Sequence, residues 1–258
     1  MTDRNLDIMI DGNKLTAVCR TRLTGKDDLS LFPSLFELRL WNLCESDYLA
    51  VSRAKTVSVS YQGACLASGQ VSDVFRYGTA DGVVTVMAFS MGLNLWESNI
   101  SLTVEKDKTL SETIIMILEA SGTEIALLAP PENDIIFPRC QSFYGRAADA
   151  IETVLTAISA KAVLTPSGLM IVPDDGLPVF YTMTKKDLTD APMFAGGSSV
   201  SLPPLMILRA IVAGWRPGQT MHVVYGETNA IGIVQDRSVD ADTSGTWKSE
   251  MIVKLVRF

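Results

Sequence analysis

The C-terminal stretch from Leu202 to Phe258 alternates strand-forming runs with turns, and it constrains the fold more than any other part of the chain. An apolar run, LPPLMILRAIVAGW, ends in the turn Arg216-Pro217-Gly218-Gln219. A strand pattern follows from Thr220 to Tyr225. A tight turn, Asp240-Ala-Asp242-Thr-Ser-Gly245, then leads into a closing run from Thr246 to Phe258. In that run Met251, Val253 and Leu255 fall on one face and Lys248, Glu250 and Lys254 on the other. This is the period of a strand with one covered and one wet face. The segment reads as a small β-barrel with no catalytic group set into it.

The first hundred residues carry the same period. Asp7–Ile10 runs into the turn Asp11-Gly12-Asn13, and alternation resumes from Lys14 to Arg22, a hairpin pattern. Leu35 to Leu43 places Phe36, Leu38 and Leu40 opposite Glu37, Arg39 and Trp41. Lys55 to Tyr61 alternates as well. The runs 69–77 and 82–90 form a further pair around the turn 78–82. Several short strands with regular turns argue for a barrel or sandwich.

The pattern changes near residue 105. Thr109-Leu-Ser-Glu112 has the form of a capping box, Leu110, Ile114, Ile117 and Leu118 follow at helical spacing, and Gly122 stands where a terminating glycine belongs. A strand is expected over 124–128, then a loop with Pro130-Pro131. A second helix is expected from about Ser142 to Lys161, and a hairpin over 162–172 around Pro166-Ser-Gly168. The breaker-rich stretch 184–197 reads as a crossing. The expectation is a mainly β fold with an α/β insertion, and two small tube-type β-barrels per chain. Residues 1–103 form the first barrel domain, 104–182 the insertion and 183–258 the second barrel.

Composition removes several function classes. With 22 Lys and Arg against 29 Asp and Glu, the net charge is −7, unsuited to non-specific binding of nucleic acid. An acidic surface would suit a channel wall along which DNA slides without sticking. Cys19, Cys44, Cys65 and Cys140 show no C-x-x-C spacing, which points to buried free thiols rather than zinc or redox chemistry. The polar N-terminus lacks an apolar signal core, and the longest nearly uncharged run, 202–215, is too short to span a bilayer. The expectation is a soluble protein made in the cytoplasm, with no membrane insertion.

Candidate chemistry is sparse. His222 is the only histidine, it lies in a strand pattern, and no nucleophile elbow or cysteine-protease signature accompanies it. The acids Asp27-Asp28, Asp174-Asp175, and Asp240 with Asp242 invite comparison with a glycosidase pair, which needs carboxylates about 5 to 9.5 Å apart. All sit beside turn-forming residues, where solvated Asp is favoured for backbone reasons. Asp240-x-Asp242-x-Ser244 lacks the glycine and distant glutamate of a calcium loop. No phosphate-binding or dinucleotide-binding pattern appears. Trp41, Trp96, Trp215 and Trp247 occur singly, in positions suited to core packing or subunit contact. No catalytic, cofactor-binding or metal-binding residue is assigned, and no cofactor is expected.

Three passages, in order, resemble the baseplate hub proteins of phage tails and related contractile injection systems. They are Phe36-Glu-Leu-Arg-Leu-Trp-Asn-Leu43; Val83 to Ala88 followed by Val104 and the Thr109-capped helix ending at Ser121-Gly122; and Leu202-Pro-Pro-Leu through Trp215-Arg-Pro-Gly218, then Asp242-Thr-Ser-Gly-Thr-Trp247. The spelling of the last turn leaves the register of the final hairpin open, and the chain is short for the family. The resemblance implies a non-enzymatic homotrimer whose six barrels form a ring. That ring joins a sixfold tail tube, or a tube-initiator protein, to a threefold central spike. Contacts with the tape measure protein and other baseplate proteins are implied too, in a virion tail assembled in the host cytoplasm, with DNA passing through the lumen. The runner-up reading is a tail-associated cell-wall hydrolase, glycosidase or peptidase. A carbohydrate-binding β-domain is a third.

Overall fold

The computed structural model describes residues 4–15, 20–78, 82–90, 92–129, 134–195 and 204–257. In chain order the elements begin with β1 (Asp7–Ile10), β2 (Asn13–Lys14), β3 (Arg20–Asp28), β4 (Leu35–Trp41) and α1 (Glu45–Ser52). β5 (Thr56–Tyr61), β6 (Ala64–Tyr77), β7 (Val83–Ser90), α2 (Leu93–Glu97) and β8 (Asn99–Val104) follow. Next come α3 (Leu110–Ala120), β9 (Leu127–Ala129), β10 (Gln141–Arg146), α4 (Ala147–Thr156), β11 (Ala160–Thr165) and β12 (Gly168–Pro173). The chain ends with β13 (Val179–Thr184), β14 (Met193–Ala195), β15 (Leu205–Ala210), β16 (Thr220–Tyr225), β17 (Thr228–Asp242) and β18 (Trp247–Arg257). The fold is mainly β with an α/β insertion.

Contacts divide the chain into two units. One comprises Met1–Asp28, Ser34–Ser90 and Pro178–Phe258, the other Leu29–Pro33 and Met91–Leu177. The first is built on a sheet whose main path runs β14-β15-β18-β17-β3-β4-β7-β6-β5-β1-β2, with β16 on β17 and β13 on β16. The inward residues of this sheet gather into two separate apolar clusters. One holds Ile8, Leu23, Leu38, Leu40, Val59, Leu66 and Val86. The other holds Met206, Leu208, Met221, Val223, Met251 and Val253. The long strand β17 serves both: Ala230 and Val234 belong to the second cluster, Val239 and Ala241 to the first.

Turn chemistry sets the registers. Asp11 and Gly12 have φ of 46° and 79°, so Ile10 pairs with Asn13 across a two-residue turn of the type whose twist suits a hairpin. The Asp11 carboxylate also accepts the N–H groups of Lys55 and Thr56, fastening this turn to β5. The paired runs 69–77 and 82–90 appear as β6 and β7, and the closing run as β18 with Met251, Val253 and Leu255 buried.

The second unit has its own core. Thr109 caps α3: its hydroxyl accepts Glu112 N–H at 3.1 Å, and the Glu112 carboxylate accepts Thr109 N–H at 2.9 Å. Leu110, Ile114, Ile117 and Leu118 are buried against Ile151, Val154 and Leu155 of α4. At the far end Gly122, with φ 68°, lets its N–H reach Glu119 O while Thr123 N–H reaches Leu118 O.

Two expectations need correction. The helix expected from about Ser142 begins only at Ala147, because Ser142–Arg146 extends as β10 and pairs with β8. In the two contact units β8 falls in the second. Cys44 and Cys140 are exposed rather than buried: Cys44 occupies the N-cap position of α1, hydrogen-bonded to the Ser46 hydroxyl. Cys19, Pro130-Pro131 and Leu202-Pro203 lie outside the described residues. Helix α1 carries no apolar stripe, so periodicity did not announce it.

Candidate functional site

The feature that organises the β unit is the seam where β3 pairs with β17 over seven register positions, from Asp236↔Asp28 to Asp242↔Arg22. Alternation sorts the side chains. Leu23, Asp27, Arg237, Val239 and Ala241 point inward, while Arg20, Arg22, Asp240 and Asp242 point outward.

Arg237 sits on the inward, otherwise apolar phase and is 3% exposed. A buried guanidinium must have its donors satisfied. Its Nε and Nη2 donate to the two Asp27 carboxylate oxygens at 2.8 and 2.9 Å. Nη1 donates to Trp215 O at 2.7 Å, and Nη2 to Leu66 O at 2.7 Å. One side chain thus ties together β3, β6 and the loop after β15. It does so just beyond the register shift between Val234 and Asp236, where β17 passes from one core to the other.

Arg216 lies beside it and donates from Nη2 to Cys65 O at 2.5 Å. Burial, and next the positive charge of Arg237, pull the Arg216 guanidinium below its ordinary value. The turn anticipated at Arg216–Gln219 forms: Gln219 Oε1 accepts Arg216 N–H at 2.9 Å, and Gln219 N–H donates to Arg216 O.

On the outward side Arg20 contacts Asp242 at 2.7 and 3.2 Å, and Arg22 contacts Asp240 at 3.0 and 3.1 Å. The hydrogen bond from Arg20 holds the Asp242 carboxyl below its ordinary range against the opposing effect of burial. Asp240, Asp242 and Asp27 are therefore partners in cross-strand ion pairs, not the solvated turn acids their neighbours suggested. Asp242 is 5% exposed. Asp174 and Asp175 are exposed in the turn after β12. His222 is half-buried on β16, its Nε2 2.6 Å from Asn229 Oδ1 on β17. Among the described residues no group of His, Cys, Asp or Glu is placed to hold a metal ion. No helix among them is long and apolar enough to cross a membrane. Trp215 is buried, while Trp41, Trp96 and Trp247 are half-buried.

Sequence reasoning missed the Asp27–Arg237 node. Its signal was present: Arg237 stands in phase with Val239 and Ala241, and Asp27 in phase with Leu23, both on the covered side of their strands.

The fold of this chain is similar to that of solved tail proteins of phages and prophages. A tail protein from Neisseria meningitidis MC58 superposes with a TM-score of 0.73 at 10% identity, covering 96% of this chain and 95% of that one. The 43 kDa tail protein of prophage MuSo2 from Shewanella oneidensis gives a TM-score of 0.71 at 9% identity over 96% and 95%. An E. coli component of the type VI secretion system, described as similar to the T4 tail proteins gp27 and gp5, gives 0.72 at 10% identity over 97% and 76%. No family model matches the sequence, and no curated protein matches it. At such identities the likeness is one of fold.

Proposed function

We propose that this chain is a structural, non-enzymatic hub of a phage tail baseplate. It acts as a homotrimeric ring that adapts a sixfold tail tube to a threefold spike and lines the channel for DNA. The observation that carries the reading is the end-to-end likeness to the Neisseria tail protein, which spans nearly all of both chains.

A ring of this kind needs two barrel-like halves in each copy, so that three chains present six similar contacts. Strand pairing supports that requirement. β13 pairs with β16, but Leu188, a few residues on, bridges Ala210 at the end of β15, and β14 then pairs with β15. One stretch of chain thus reaches both ends of the path β16-β17-β18-β15. In the other half β2 pairs with β1, while β3, later in the same stretch, pairs with β4. The two separate apolar clusters support a reading of two barrels around the insertion 104–182, the first built from 1–103 with the end of β17 added and the second from 183–258. On this reading β8 goes with the insertion and β13 with the second barrel. Tube, spike, tape measure and other baseplate proteins are the partners, in the virion tail.

Mass photometry and sedimentation at micromolar concentration test the proposal. The expected result is a trimer, visible at low resolution as a ring with a tube-sized hole. A chain that stays monomeric, also when mixed with its spike, overturns it. Turnover of peptidoglycan by the wild-type chain would favour the hydrolase reading instead.

A further inference from the structure

The strands of the β unit are anchored by inward apolar side chains, and the run from Val179 to Ala195 has almost none. Met183 is its one buried residue. Leu188 is half-buried and packs on the same apolar cluster. By contrast β15 buries Met206, Leu208 and Ala210, and β16 buries Thr220, Met221 and Val223. The run is attached by its backbone at the two ends of the path β16-β17-β18-β15. β13 lies parallel to β16 at one edge, with a register shift between Val179 and Tyr181. Parallel pairing is slightly weaker per residue than antiparallel, and the shift interrupts it further. At the other edge the short β14 pairs with β15 only from Met193 to Ala195.

Between these two strands the chain turns on Asp187. One oxygen of its carboxylate accepts Thr184 N–H at 2.8 Å and the Thr184 hydroxyl at 3.0 Å, and the other accepts the Tyr181 hydroxyl at 3.3 Å. The backbone of Asp187 takes part as well: its N–H donates to Thr184 O and its carbonyl accepts Ile211 N–H, both at 3.0 Å. Thr189 N–H donates to Arg209 O at 2.8 Å. The bonds at Ile211 and Thr189 flank the bridge between Leu188 and Ala210. One residue thus fixes the end of β13 and starts the crossing to β15. Tyr181 in turn lies against Trp215, their ring centres 4.8 Å apart.

Elements that bury few apolar groups and rely on solvent-exposed hydrogen bonds open at lower free energy than a packed core does. We infer that 179–195 is a detachable strap: it opens and recloses as one piece while the rest of the β unit stays folded, and Asp187 is the latch that holds it shut. Opening withdraws Met183 and Leu188 from the apolar cluster and bares the hydrogen-bonding edges of β16 and β15. A sheet held at both edges becomes one with two free edges, the state in which a sheet can pair with a further strand. The strap is a property of the single chain, so it stands or falls apart from the ring reading.

Native-state hydrogen exchange on the full chain, followed in rising urea, tests it. In the wild type the amides of Thr184, Thr189 and Ile211 should exchange well ahead of those in β17 and β18, through an opening that depends only weakly on urea. Asp187→Ala should speed exchange at Thr189 and Ile211 about 10-fold or more, because hydrogen bonds to a charged group are lost, and should leave β17 and β18 as protected as before. Asp187→Asn keeps one accepting oxygen and should give a smaller rise; it replaces the alanine variant should that one lose its cooperative melt. Wild-type strap amides that exchange only together with β17 and β18 overturn the inference. Substitution of Asp187 that leaves the strap as protected as in the wild type, or that lowers protection of β17 and β18 equally, overturns the latch.

Discussion

The insertion and the β unit are held together at different distances along the chain. In the insertion the decisive contacts are local: Thr109 with Glu112, Gly122 with Glu119, and α3 packed on an α4 that begins fewer than thirty residues after it ends. In the β unit they are remote. Arg237 meets Asp27 across 210 positions, and Arg20 meets Asp242 across 222. Closing such long loops is entropically unfavourable and is offset only when the far segments pair. The insertion can therefore gain structure piecemeal, whereas the β unit holds its two cores together only once β3 and β17 have met.

The largest expected effect comes from breaking the remote contact. Arg237→Met leaves the Asp27 carboxylate without its partner and strips two carbonyls, Leu66 O and Trp215 O, of their donor. Removing one member of a buried ion pair costs about 4 kcal/mol. Urea denaturation followed by tryptophan fluorescence should show the whole β unit losing stability by this order. Adding Asp27→Ala should restore part of the loss, since the carboxylate orphaned by the first substitution is then gone. An Arg237→Met protein as stable as wild type would mean that the seam does not depend on this clamp.

Leu155→Ala probes the other side of the comparison. Leu155 is buried in the insertion core, and emptying such a site costs about 3 kcal/mol. The loss should stay local. Amide exchange should quicken in α3, α4, β11 and β12, while β17 and β18 keep their protection. Faster exchange throughout β17 would show that the two regions unfold as one.

The same contrast explains what could be read from the chain. The capped helix, the Asp11-Gly12 turn, the paired runs on β6 and β7 and the two-faced last strand rest on neighbours within a few residues, and each was legible. The start of α4 was misjudged because Ser142–Arg146 has no intrinsic reason to be helix or strand until β8 offers it hydrogen bonds. The acids of the seam were misjudged for a related reason. Asp242 does sit in a turn, and its carboxylate accepts Ser244 N–H at 2.9 Å. Its stronger partner, Arg20, is far away in sequence. Alternation placed Arg237 and Asp27 on covered faces, but only the β3–β17 register places them opposite each other.

A smaller effect is expected at the local cap. Thr109→Ala removes the hydroxyl that accepts Glu112 N–H and leaves the returning carboxylate bond in place. The loss of an N-cap side chain costs about 1 kcal/mol. Serine at 109 should recover most of it, and thermal melts of the three proteins would separate capping from packing.

The smallest effect lies on the outward side of the seam, and pH resolves it. The Asp242 carboxyl is held below its ordinary value, first by the hydrogen bond from Arg20, with the Ser244 N–H and the charges of Arg20 and Arg22 assisting and burial opposing. A group whose folded value is lowered binds protons more readily in the unfolded chain, where its value is about 3.9. Its contribution to stability is therefore complete above roughly that pH and is lost as pH falls through the lower folded value. Asp242→Asn cannot ionise and lacks this contribution at every pH. The stability difference between wild type and Asp242→Asn should thus be constant from neutrality down to about pH 5, then shrink on further acidification. Salt should weaken it only modestly, because Asp242 is buried although Arg20 is not. A difference that instead widened on acidification would mean that the Asp242 carboxyl is raised in the folded chain, and that the Arg20 contact does not hold in solution.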